Sequence, residues 1–113
     1  MTARITLNVG GTLFPTLRST LARSDSFFSG LVAQANDDEV LFVDRDPTHF
    51  RHILNWMRGV HHIPDDHDAV REIQHEAEYY AMTDLVEFAM RWRQKNPPAP
   101  HIRESLRNIT MRL

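Results

Sequence analysis

Cysteine is absent from all 113 residues, which excludes a disulfide framework, a thiolate metal site and a cysteine nucleophile. Long apolar runs are absent too. Nothing approaches the ~20 residues needed to cross a bilayer, and no basic-then-apolar stretch opens the chain. Glycine and proline, at four and six residues, are too few for a collagen-like or low-complexity chain. No G-x-S-x-G elbow is present, and no histidine lies beside a placed serine–carboxylate pair, so nothing points to an enzyme. Together these absences fit a cytoplasmic protein, with the nucleus also open, that has neither a cofactor nor membrane insertion.

What is present is an ordinary globular composition with an uneven charge. Residues 1–90 hold seven Arg against fourteen Asp and Glu, whereas residues 91–113 hold five Arg and one Lys against Glu104. An acidic body argues against a nucleic-acid partner, which would require a basic face. The length is that of one modest domain.

The segment "LNVGGTLFPTLRSTL" sets the first strands. Ile5, Leu7 and Val9 alternate with Thr6 and Asn8, the period of a half-buried strand. Strand-like residues resume after Gly10-Gly11, so the pair reads as a two-residue hairpin turn. A phosphate loop would require a helix opening directly after the glycines, usually with a Lys followed by Ser or Thr, and neither is present. Pro15 predicts an edge or an end for the second strand.

Two short helical pieces follow, capped by Ser19 or Thr20 and by Asp25 or Ser26. Phe27 and Phe28 are adjacent, so one must fill the core, and at least one of Phe27 and Leu31 is expected to be buried. "VLFVD" is nearly continuous in apolar residues and predicts a central strand buried on both sides. Asp46 as N-cap, Pro47 in the first turn and Gly59 at the end punctuate a helix with Phe50, Ile53, Leu54 and Met57 on one stripe. Val70, Ile73, Ala77 and Tyr80 mark a further stripe. Thr83 is placed to cap a last helix carrying Leu85, Phe88, Ala89 and Trp92. "NPPAP" breaks that helix, giving a domain over 1–93 and a linker with a basic tail over 94–113. In that tail Ile102, Leu106, Ile109 and Leu113 form the stripe of a short amphipathic helix.

His61, His62 and His67 lie near Asp65, Asp66 and Asp68. Their spacing matches no closed metal site, and the segment reads as a solvated loop. His49 and His52 have no third ligand and read as surface or interface residues.

In order, the blocks "LNVGG" (7–11), Phe14-x-Thr16-x-Arg18-x-Thr20-Leu21, "DSFFSGL" (25–31), "FVDRDP" (42–47), "FRHILNWMR" (50–58) and "EAEYYAMTDLV" (76–86) are similar to the short BTB/POZ fold. That is the tetramerisation domain of voltage-gated potassium channels and of KCTD adaptor proteins. "SFFSGL", "DRDP" and "EAEYY" resemble the KCTD branch more closely. The resemblance implies an α+β domain: a small sheet, built from the N-terminal hairpin plus a central strand, flanked by about five helices. It also implies a homo-oligomer, tetramer or pentamer, with Asn8, Arg18, Asp44, Arg45 and Asp46 on or near the subunit interface. The alternative for Arg18 is an internal pair with Asp44, and for Asp46 simple capping. Many KCTD-type adaptors recruit cullin-3 in a ubiquitin ligase. By resemblance the docking residues here are Phe28, Leu31, Val32, Asn36, Asp37, Asp38 and Glu39, with Tyr79 and Tyr80 nearby. A purely structural assembly domain without cullin contact is the competing expectation. The zinc site of some channel domains cannot exist here, because its cysteines are missing.

Overall fold

A computed structural model describes residues 3–98. Eight elements follow in chain order: β1 (Arg4–Val9), β2 (Thr12–Leu17), α1 (Arg18–Arg23), α2 (Phe27–Ala33), β3 (Val40–Val43), α3 (Phe50–Met57), α4 (His67–Tyr79) and α5 (Thr83–Lys95). A three-stranded sheet with five helices is the α+β arrangement expected from the sequence. The expected tail helix at 102–113 lies outside the described residues.

β1 and β2 form an antiparallel hairpin in which Val9 opposes Thr12. Gly10 and Gly11 have φ of +55° and +103°, as a primed two-residue turn requires. The Asn8 side chain reinforces the turn by accepting from the Gly11 amide at 2.8 Å. Gly10 is further constrained by packing: a Cβ there would lie 2.4 Å from the Arg45 carbonyl oxygen.

The sheet order is β2-β1-β3, with β3 parallel to β1. The strand expected in the centre and buried on both sides is therefore at the edge. Only Val43 of β3 is buried, whereas Val40 and Phe42 are 57% and 64% exposed. β1 holds the centre because its alternating Ile5, Leu7 and Val9 supply the buried face, while the hairpin and the crossover bring one neighbour to each side.

The helices cover that buried face. Phe14, Phe28, Phe50 and Tyr80 form an aromatic cluster, with Phe28–Tyr80 and Phe14–Phe50 centroids 4.6 and 4.9 Å apart. Edge and tilted contacts of this kind add to the burial of the rings. Phe28 and Val32 point inward from α2, Leu31 is partly buried and Phe27 stays exposed. The expectation for Phe27 and Leu31 is corrected accordingly. α2 presents two possible i, i+4 apolar pairs, and the second is the one that faces the core.

Other caps differ from expectation. α1 begins at Arg18, so Ser19 and Thr20 lie inside it, and α5 begins at Thr83 without a side-chain cap. Asp46 does not cap α3, which begins at Phe50. It accepts instead from the Thr48 amide at 2.8 Å and from its hydroxyl, closing the turn before the helix. Those bonds, the hydroxyl first, hold the Asp46 carboxyl below its ordinary pKa. Asp66 caps α4, accepting from Ala69 N at 2.9 Å.

Candidate interaction surfaces

Two surfaces stand out: the outer face of the sheet, and the junction of α2 with α4. Alternation along the strands builds the first. With Ile5, Leu7 and Val9 inward, Arg4, Thr6 and Asn8 run down the outer face. The register sets Leu13 and Phe42 level with Asn8, Pro15 and Val40 level with Thr6, and Leu17 level with Arg4. Two apolar stripes thus flank a polar centre, and Leu13, Val40 and Phe42 are each more than half exposed. Exposed apolar area gathered in this way marks an interaction site more often than scattered single residues do.

The two edges of the sheet differ. Arg18 N donates to Ala3 O at 2.8 Å, so counting back in twos along β2 puts Thr16, Phe14 and Thr12 in hydrogen-bonded pairs with β1. Leu13, Pro15 and Leu17 turn their backbone outward. Pro15 has no N–H to offer there, and its carbonyl is taken by an Arg58 guanidinium nitrogen at 3.0 Å. The expectation of an edge at Pro15 holds. On β3, Glu39 O and Val43 O accept from Thr6 and Gly10 at 3.1 and 2.9 Å. Val40 and Phe42 therefore direct their amides and carbonyls away from β1, with no partner among the described residues.

The second surface forms where the start of α2 meets the end of α4, tied by Phe27 N donating to Tyr80 O at 2.9 Å. The rings of Phe27 and Tyr79 lie 6.2 Å apart and are 39% and 51% exposed. The Arg45 guanidinium carbon sits 4.0 Å from the Tyr79 ring centroid, a cation–π contact. Arg45 also forks onto both carboxylate oxygens of Glu76 on α4, its Nε at 3.2 Å. That hydrogen bond raises the Arg45 pKa against the opposing effect of burial. The chain between β3 and α3 is thereby pinned to α4.

Several interface and docking residues expected from the sequence make contacts within the chain. Arg18 donates to Val32 O at 2.6 Å, to Ala35 O and to Asp37 at 3.2 Å, holding the end of α2; its carboxylate partner is Asp37, not Asp44. Asn8 serves the hairpin, Arg45 serves α4, and Asp46 closes its turn, while Asp44 is exposed. Phe28, Val32 and Tyr80 are buried and offer no surface to a partner. They are corrected here from docking to core residues. The Tyr80 hydroxyl is buried without a hydrogen-bond partner among the described residues, and burial raises its pKa. Leu31, Tyr79 and the loop of Asn36, Asp37, Asp38 and Glu39 keep surface. Phe27 joins them, and only the helical phase of α2 could have distinguished it from Phe28.

Among the described residues, no group of three or more His, Asp or Glu is placed to hold a metal ion. His61 stacks on Trp56 with centroids 4.0 Å apart, and His67 packs edge-on to Trp92. Trp56 donates to Asp84 at 3.1 Å. No helix among the described residues is long and apolar enough to cross a membrane.

The BTB/POZ domain profile matches residues 5–89. Human BTB/POZ domain-containing protein KCTD3 is 40% identical over 95 residues, covering 73% of this chain and 11% of that protein. Human KCTD5 is 36% identical over 90 residues, covering 73% and 38%, and human KCTD17 is 38% identical over 89 residues, covering 73% and 28%. The chain thus spans well under half the length of these relatives. It belongs to the BTB/POZ domain family, in its potassium-channel tetramerisation type with KCTD relatives, a family of protein-interaction and oligomerisation modules that are generally non-enzymatic.

Proposed function

We propose that the chain is a self-assembling adaptor module that docks cullin-3 through the junction of α2 and α4. The observation that carries this reading is the exposed pair Phe27 and Tyr79, the Tyr79 ring lying under the Arg45 guanidinium that Glu76 in turn holds. Preset aromatic anchors lose little conformational freedom on binding, and they supply the large buried contacts on which interfaces depend. Leu31 and the polar loop 36–39 provide the adjoining apolar contact and rim. Asp37 pairs with Arg18 at 3.2 Å, which ties the loop to the end of α2. The cullin itself is suggested by the likeness to KCTD-type adaptors.

The test is size-exclusion chromatography with light scattering on the protein alone and with the N-terminal half of cullin-3. Co-elution at one cullin per subunit is expected, with loss of binding and retention of the assembly in a Phe27→Ala, Tyr79→Ala double variant. An assembly whose mass does not change in the presence of excess cullin-3 would leave a purely structural oligomerisation domain as the function.

A further inference from the structure

Residues 1–90 are acidic, with seven Arg against fourteen Asp and Glu, yet the arginines are not distributed evenly. Arg18, Arg45 and Arg71 are each paired with a carboxylate. Of the other four, Arg4, Arg23 and Arg58 line a single hollow of about 460 Å³, and no Asp or Glu lines it with them. They come from separate places in the chain: Arg4 opens β1, Arg23 ends α1 and Arg58 follows α3. The fold therefore gathers them, and no run of like charge in the sequence does. Arg4 and Arg23 make no side-chain hydrogen bond or ion pair among the described residues; Arg23 also borders Asp25 and Asp84 on another side without pairing to either. Arg58 bonds only neutral oxygens, Asn55 Oδ1 at 3.2 Å and Pro15 O at 3.0 Å. Three like charges collected without a counter-charge repel one another, and an anion in the hollow removes that cost.

We propose that this hollow binds a small molecule bearing a diphosphate group. Guanidinium forks match phosphate oxygens two at a time, which makes arginine the residue suited to this class of ligand. A guanidinium has five N–H donors. Arg58 uses two of its nitrogens to hold its position, so donors remain for a ligand. A single phosphate monoester carries about 1.5–2 negative charges at neutral pH and would leave one of the three cations uncompensated; two adjoining phosphates match all three. The volume is in the range of small-molecule sites. Thr16 and Thr20, only 7% and 6% exposed, form a short-chained polar floor. Pro15 and Leu17 are exposed on the same lining, so the organic part of an esterified diphosphate has apolar surface to rest on. The hollow shares no residue with the α2–α4 junction, and the inference is independent of the docking and assembly readings.

The test is titration calorimetry with inorganic pyrophosphate, orthophosphate and ADP, each without divalent metal. Pyrophosphate is expected to saturate one site per chain, and orthophosphate to bind at least about tenfold more weakly, since it forgoes charge-assisted bonds to one guanidinium. ADP separates the two sources of the group: tighter binding than pyrophosphate assigns its organic part to Pro15 and Leu17, and equal binding confines recognition to the diphosphate, either result supporting the site. Arg4→Gln with Arg23→Gln removes no contact among the described residues, so the fold should persist by circular dichroism while pyrophosphate affinity falls about tenfold or more. Arg58→Gln should weaken binding as well. Arg51→Gln, a change at the fourth arginine without an ion pair, lies outside the hollow and should leave binding as it was. The proposal is overturned if pyrophosphate does not saturate, if orthophosphate binds as tightly, or if Arg51→Gln costs as much affinity as the Arg4, Arg23 double change.

Discussion

The two edges of the sheet solve the same problem in different ways. An edge strand presents unpaired backbone groups that invite association. On β2 the invitation is withdrawn: Pro15 supplies no donor, and Arg58 occupies the carbonyl. On β3 nothing within the described residues covers Val40 or Phe42, and both side chains stand outward. One edge is closed by chemistry local to the chain, and the other keeps two exposed apolar side chains with their backbone groups unpaired among the described residues. A protein that must assemble without aggregating needs such an asymmetry, since two open edges would allow unlimited sheet growth.

The largest expected effect breaks the hairpin that builds the closed edge. Gly10→Ala forces a Cβ against the Arg45 carbonyl at positive φ, and a loss of about 2–4 kcal/mol is expected in urea unfolding. At Gly11 the same change meets nothing within 4 Å, so backbone strain alone remains and the loss should be smaller. Equal losses at both glycines would show that packing against Arg45 is not what constrains Gly10.

Arg58→Ala sharpens the comparison. It removes the guanidinium from the Pro15 carbonyl, which water then solvates, so about 0.5–1 kcal/mol of stability should be lost. If the guanidinium seals the edge, this variant also gains a concentration-dependent tendency to form large species, readable by dynamic light scattering.

The mildest perturbation is pH. His52 on α3 has its pKa lowered, first by burial and then by the positive charges of His49, His62 and Arg51. A base with a depressed folded pKa binds protons more readily when unfolded. The folded state is therefore fully favoured above about pH 6.5 and loses stability as pH falls below that value. Urea midpoints measured from pH 7.5 to 5 should decline, and His52→Gln should flatten that part of the decline. An unchanged slope in His52→Gln would assign the pH dependence to other groups.

Much of this architecture is legible in the sequence because it depends on local rules. The hairpin follows from two glycines between alternating strands, and α4 follows from the stripe Val70, Ile73, Ala77. What the sequence could not place depends on partners distant along the chain. Phe27–Leu31 and Phe28–Val32 are equivalent apolar pairs until the aromatic cluster of Phe50 and Tyr80 is in place to receive one of them. Arg18 reaches across to Asp37 and the end of α2, a contact no periodicity announces. The position of β3 is the most instructive case. An apolar run on both faces encodes a neighbour on each side, but it cannot say whether that neighbour belongs to the same chain. Phe28, Val32 and Tyr80 were expected at a docking surface for a related reason, since apolar and aromatic character signals burial and recognition equally well until accessibility is known.

The most direct test of the account is the mass by light scattering of the wild type and of Phe42→Ser, with circular dichroism to confirm the fold. Phe42 is 64% exposed within one chain, so stability should shift by no more than about 0.5 kcal/mol. The account predicts a wild type of several chains and a folded Phe42→Ser variant whose assembly is weakened. A wild type with the mass of a single chain, or a variant that assembles as the wild type does, would contradict it.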